Sequence, residues 1–151
     1  MGNVRVSAKA VIIKDDKLLV MKHDAEEEEY SILPGGGQRN GEDLSSAVKR
    51  ECLEEAGIRV EVGDVLFIRD YIEDNHEFAG RKPGFHQVEI MFRCEILDDK
   101  EIGNGVSVDK WQVGIEWLPL DNLVQSSLYP SILRSMITNT IGGKIYLGDV
   151  N

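Results

Sequence analysis

Basic residues are in short supply. Lys and Arg together number 17 against 27 Asp and Glu, a formal charge of −10 at pH 7. That balance excludes a broad basic footprint for duplex nucleic acid. It leaves room for a small anionic substrate only with local help, from a metal ion or a few placed cations. Cysteine is scarce too. Cys52 falls in a predicted helix and Cys94 in a predicted strand, so the pair reads as small buried side chains in a reducing cytoplasm, not as a disulfide framework. Long apolar runs are missing: stretches such as AVII and LLVM are far too short to cross a bilayer. No signal-peptide pattern opens the chain, and no repeat, low-complexity tract, linker or EF-hand loop pattern occurs. The expectation is a cytoplasmic protein with no membrane partner.

What is present suits one ordinary domain. The chain has 151 residues, 42% hydrophobic and 29% charged, enough to bury a normal core. Residues 4–13 alternate and then turn continuously apolar, and 17–23 return across a KDD turn, which predicts a hairpin. The acid run DAEEEEY predicts a solvated loop. A short strand then leads into a glycine-rich turn, LPGGG, and a helix is predicted over 43–56, stopping at Gly57. Long strands are predicted at 58–72 and 85–97, with a loop between them, and a short one at 113–120. Pro130 suits the first turn of a second helix, and KIYLGD suits an edge strand. Strands mixed with about two helices predict an α/β sandwich around a mixed sheet.

The helix breaks its own pattern. At about 100° per residue, Leu44, Ala47 and Val48 form an apolar stripe that runs on through Glu51, Glu54 and Glu55. Buried carboxylates are costly unless compensated. In the last turns they also oppose the helix dipole, and Glu51 and Glu55 repel at i, i+4. One cation, Arg50, cannot offset three anions. A divalent cation can, because hard oxygen donors at this spacing suit Mg²⁺. The alternative is a solvated acidic helix end paired with Lys49 and Arg50. The glycines Gly35, Gly36 and Gly37 lie at a fixed spacing upstream, and glycine lets backbone approach a ligand closely.

Gly36, Glu42, Arg50, Glu51, Cys52, Glu54, Glu55, Gly57 and Ile58 fit the pattern G-x5-E-x7-R-E-U-x-E-E-x-G-U, where U is aliphatic; eight of nine positions match strictly and only Cys52 departs. The pattern resembles the Nudix box of the Nudix (MutT-like) hydrolases. The resemblance extends to the opening hairpin, to LPGGG and to IEWLPLDNL. It implies a Nudix-type α/β/α sandwich that hydrolyses a nucleoside diphosphate linked to another group, with Mg²⁺ or Mn²⁺ as cofactor. It also implies Glu51, Glu54, Glu55 and the Gly36 carbonyl as metal ligands, Arg50 as the residue orienting a catalytic glutamate, and Glu42 as a supporting carboxylate. Glu54, ahead of Glu51, is the expected proton acceptor.

A further metal carboxylate is often supplied ahead of the late tryptophan strand in this family. Here Gln112 stands near that place, with Asp109, Glu101 and Glu116 as substitutes. Candidate substrate contacts are Arg5 and Lys9, which share one face of the first strand by period-two spacing, with Tyr30, His76, Arg81 and His86. For Arg5 and Lys9 a solvated sheet face is the competing expectation. The expected partner is a small nucleotide diphosphate, and a homodimer is allowed. The competing functions are a non-catalytic module that binds and senses a nucleotide, and RNA 5′-end pyrophosphohydrolysis.

Overall fold

The computed structural model describes residues 2–25, 28–103, 105, 112–138 and 143–151. β1 (Arg5–Lys14) and β2 (Lys17–Ala25) form the predicted hairpin, followed by β3 (Glu28–Ile32) and β4 (Gly35–Gly37). The helix α1 (Leu44–Ala56) leads to the long strands β5 (Arg59–Ile72) and β6 (His86–Asp98), then β7 (Gln112–Pro119) and β8 (Leu128–Tyr129). A four-residue helix, α2 (Leu133–Met136), and β9 (Tyr146–Asp149) complete the order. The strands run β8-β3-β2-β1-β6-β5-β9, with β4 also on β1 and β7 on β2. β1 pairs parallel with β6 from Arg5↔Gln87 to Ile12↔Cys94, and β9 lies parallel to β5 at the sheet edge.

Both faces of this mixed, curled sheet are covered, which is why the end of β1 reads as a continuous apolar run. Alternate β1 residues serve the two sides. Ala8, Ala10 and Ile12 join Ala47, Val48 and Cys52 of α1 in one core. Val11 joins Phe67, Met91, Leu123, Leu128 and Leu133 in the other.

Three expectations change. GGG is a strand, not a turn: Ser7, Ala8 and Lys9 pair with Gly37, Gly36 and Gly35. The described part of the acid run is strand, not loop: Asp24 and Ala25 end β2 and Glu28 and Glu29 open β3, while residues 26 and 27 lie outside the described residues. The predicted second helix shrinks to α2, preceded by a 3-10 turn over Leu120–Gln125. Among the described residues, no helix is long and apolar enough to cross a membrane.

Candidate active site

α1 is fixed at both ends. The Asp43 carboxylate accepts from Ser46 N at 2.7 Å, an N-cap that also holds Asp43 below the usual carboxylate range. Gly57 ends the helix in the left-handed region, φ 70°. Two of the last carbonyls are covered, by Gly103 N on Ala56 O (2.8 Å) and by the Gln112 amide on Glu55 O (3.1 Å). Gln112 is therefore a helix-end partner through its amide nitrogen. Glu101 lies in an exposed turn and Glu116 opposite Val20 on β7, and neither lines the main cavity. Asp109 lies outside the described residues.

Of the three glutamates expected on one side, Glu51 and Glu55 share a wall, and Glu54 turns away from it. Glu55 is buried with Ala47, Val48, Cys52 and Ala56, while Leu53 stays exposed on the other side. Glu51 and Glu55 line a cavity of about 460 Å³. β4 runs so close to α1 that a Cβ on Gly36 would stand 2.8 Å from each Glu51 oxygen. Only glycine allows that approach. Gly35 N donates to Glu55 Oε2 at 3.4 Å, so backbone and carboxylates meet at one end of the cavity.

Arg50 is the hub. It donates to Glu42 from Nε (3.1 Å) and Nη2 (2.7 Å), to Gly37 O from Nη2 (2.9 Å), and from Nη1 to Glu51 (2.9 Å) and Glu54 (3.1 Å). This uses the planar fork that lysine lacks. The bonds from Arg50 and from Arg39 N hold the Glu42 carboxyl down at about 2. Glu54, the expected proton acceptor, faces Arg50 and lies 3.6 Å from Arg39, and it does not line the cavity. Hard oxygen donors from Glu51, Glu55 and Gly36 at one end, with Glu54 one turn along, fit a hard divalent cation. Among the described residues, no three acidic or imidazole side chains already surround one point.

The cavity floor is a polar grid on β1, β6 and β5. Arg5–Gln87–Tyr71 form one row and Ser7–Glu89–Arg69 the next. Glu89 is buried, which pushes its pKa up, yet Arg69 with Lys9 and Arg5 holds it below the usual range. Arg69 pairs with Glu89 and donates to Val150 O at 2.6 Å. Lys9 is buried, not solvated, and donates to Leu33 O (3.4 Å) and Gly35 O (3.2 Å). Aromatic rings complete the lining, with Tyr71 against Phe85 and Phe78 against Tyr129. Burial beside Glu73 pushes the Tyr71 hydroxyl up to about 12.

Of the six candidate substrate contacts, Arg5, Lys9, Tyr30 and Arg81 line this cavity. Tyr30 stacks on His23 at 5.4 Å. The Arg81 guanidinium lies 4.5 Å from the Phe78 ring centre. His76 and His86 do not join them. His76 Nε2 lies 2.7 Å from Asp149 Oδ1, and His86 Nε2 lies 2.8 Å from Asp70 Oδ1. Both tie strands and loop together beside β9. Sequence reasoning missed Gln87, Glu89 and Arg69. Their signal was polar residues at period two inside otherwise apolar strands, matching Arg5, Ser7 and Lys9.

A mixed sheet that carries a carboxylate-bearing helix against a glycine strand, with an arginine tying strand, loop and helix together through four residues, is the framework of a hydrolase acting on phosphate anhydrides. The model of the NUDIX domain matches residues 4–139, and the chain belongs to the Nudix family as a pyrophosphohydrolase. Solved structures agree in fold. A NUDIX hydrolase from Nitrosomonas europaea is 21% identical, covering 95% of this chain and 93% of that one, with TM-score 0.74. A MutT NUDIX hydrolase from Burkholderia pseudomallei is 26% identical, covering 88% and 96%, with TM-score 0.69. A Streptococcus suis protein described as an ADP-ribose pyrophosphatase is 21% identical, covering 97% and 100%, with TM-score 0.63.

Proposed function

We propose that this chain cleaves the pyrophosphate bond of a nucleoside diphosphate linked to a second group, using Mg²⁺ or Mn²⁺. The observation that carries the reading is one cavity with two unlike kinds of lining. Glu51 and Glu55 line it beside Gly35 and Gly36, and so do the aromatic pairs Tyr71–Phe85 and Phe78–Tyr129. Carboxylates beside a phosphate make sense only with a cation between them, and aromatic walls suit a flat base.

Glu51, Glu55 and the Gly36 carbonyl would hold the metal, with Glu54 completing the set. Bound there, a divalent ion neutralises phosphate oxygens and lowers the pKa of the attacking water. Glu51 takes the proton from that water, in preference to Glu54, because Glu51 faces the cavity and Glu54 faces Arg50 and Arg39. The Arg50 Nη1 bond fixes the Glu51 carboxylate, and Glu42 fixes Arg50 in turn. Lys9 and Arg69 keep Glu89 ionised on the floor without adding net negative charge there.

A hydrolysis screen tests the reading: ADP-ribose, nucleotide sugars, dinucleoside polyphosphates, dinucleotides, nucleoside triphosphates and capped RNA, each with Mg²⁺ and with Mn²⁺. The expected result is turnover of at least one diphosphate derivative that stops with EDTA. Tight nucleotide binding without any hydrolysis would instead favour a sensing module. The net charge of −10 favours a small nucleotide over an RNA end.

A further inference from the structure

The cavity's cations are mostly spent. Lys9 is bound to two carbonyls and lies 4.0 Å from Glu89. Arg69 is committed to Glu89, Val150 O and Asn151. Arg81 lies over the Phe78 ring and Lys82 over Phe85. Arg50 is saturated by Glu42, Glu51, Glu54 and Gly37. Arg5 differs. It lines the cavity, is exposed to solvent, and among the described residues makes no hydrogen bond or ion pair, touching Glu89 only through its field.

Its placement is specific. A Cβ on Gly37 would stand 2.7 Å from Arg5 Nη2, 2.8 Å from Nε and 3.2 Å from Cζ. The Nε–Nη2 edge of the guanidinium therefore occupies the space beside β4 that a side chain on Gly37 would take. The next residue back, Gly36, admits the Glu51 carboxylate in the same manner. Consecutive strand residues face opposite sides, so Glu51 lies against one face of β4 and Arg5 against the other, and both side chains line the one cavity. Ser7, the register partner of Gly37, adds a hydroxyl that is buried in the cavity wall with no hydrogen-bond partner. A buried polar atom left unpaired calls for a partner, and a ligand oxygen in the cavity supplies one.

We propose that Arg5 grips the diphosphate of the substrate in the cavity that Glu51 and Glu55 also line, from the space that Gly37 leaves bare; this rests on the pyrophosphohydrolase reading. A metal held by Glu51 and Glu55 would neutralise part of the diphosphate charge. The phosphate oxygens also need donors, and the arginine fork offers two parallel N–H bonds to them. Because the grip is the same before and during reaction, its loss raises KM more than it lowers kcat.

Isothermal titration calorimetry with methylenediphosphonate, a non-hydrolysable pyrophosphate analogue, in the presence of Mg²⁺ tests this without turnover. Arg5→Gln is expected to weaken binding by about tenfold to a hundredfold, the size of a lost charge-assisted pair. Arg5→Lys, which keeps charge but not the fork, falls between. Gly37→Ala keeps every charge but pushes the guanidinium from the space it occupies, and Gly37 has an ordinary φ that alanine accepts. It should weaken binding about as much as Arg5→Gln, and the double variant should be no weaker than either. Steady-state assays on the best substrate should show the loss mainly in KM. Wild-type binding too weak to measure, Arg5→Gln binding within twofold of wild type, or full additivity of the two variants would overturn the proposal. Failure of the underlying reading shows elsewhere, as turnover that ignores EDTA.

Discussion

Replacing Arg50 by lysine keeps a positive charge and removes a shape. Arg50 makes five hydrogen bonds between 2.7 and 3.1 Å, to three carboxylates and the Gly37 carbonyl, and its side chain is only 17% exposed. An ammonium has three donors on one point, so at least two of those bonds are lost, and the two-point grip on Glu42 with them. Bonds to charged partners contribute about 1.5–3 kcal/mol each when well shielded; with the residual exposure the loss should be about 2–4 kcal/mol. For a domain of this size that is roughly 5–15 °C in Tm. Catalysis should suffer separately, because the Glu51 carboxylate loses the donor that orients it, and kcat should fall by about a hundredfold. Scanning fluorimetry and steady-state kinetics on purified Arg50→Lys measure both. A Tm within 2 °C of wild type, with kcat within about threefold, would show that a point charge suffices and that the fork geometry is incidental.

Three further outcomes follow from the same geometry. With metal chelated, Glu55→Gln should melt at or above wild type, since it relieves repulsion with Glu51 on a shared wall. Mg²⁺ at ten times Kd should stabilise wild type by about 1.4 kcal/mol, or roughly 3–6 °C, and the variant by less. Glu42 is depressed from 4.5 to about 2 by its bonds to Arg50 and Arg39 N. The stability it contributes is therefore fully present above pH 4.5 and lost as pH falls toward 2, so Glu42→Gln should flatten the acid limb of urea-melt stability against pH. Burial pushes the Cys52 thiol up, and Cys94 up to about 12, so both should react with a thiol-specific disulfide reagent only after denaturant is added.

The sequence carried the frame of the fold because its strands keep their pattern. Alternation marked β1, β2, β5 and β6 to within a residue or two, and Gly57 marked the end of α1. The interruption of the Leu44–Ala47–Val48 stripe by Glu51, Glu54 and Glu55 pointed to the candidate site, since carboxylates on a covered face require a compensating partner, although Glu54 turns toward Arg50 and Arg39. Other features depend on partners far along the chain. Three glycines have little strand propensity of their own, and β4 forms only because β1 accepts the pairing. Lys9 reads as solvated until the chain entering β4 brings the Leu33 and Gly35 carbonyls to it and β6 brings Glu89. The two histidines were attractive as polar loop residues, but Asp149 and Asp70 lie 73 and 16 positions away from them, and nothing local indicated those pairings. The choice between Glu51 and Glu54 likewise turned on the position of Arg39 and on the cavity wall, neither of which periodicity describes.

The most direct measurement is kcat for Glu51→Gln and for Glu54→Gln on the best substrate at saturating Mg²⁺, with circular dichroism to confirm folding. The account predicts a loss of about a hundredfold or more for Glu51→Gln, larger than for Glu54→Gln. Turnover by folded Glu51→Gln close to wild type would contradict it, and would remove the helix carboxylates from the centre of the chemistry.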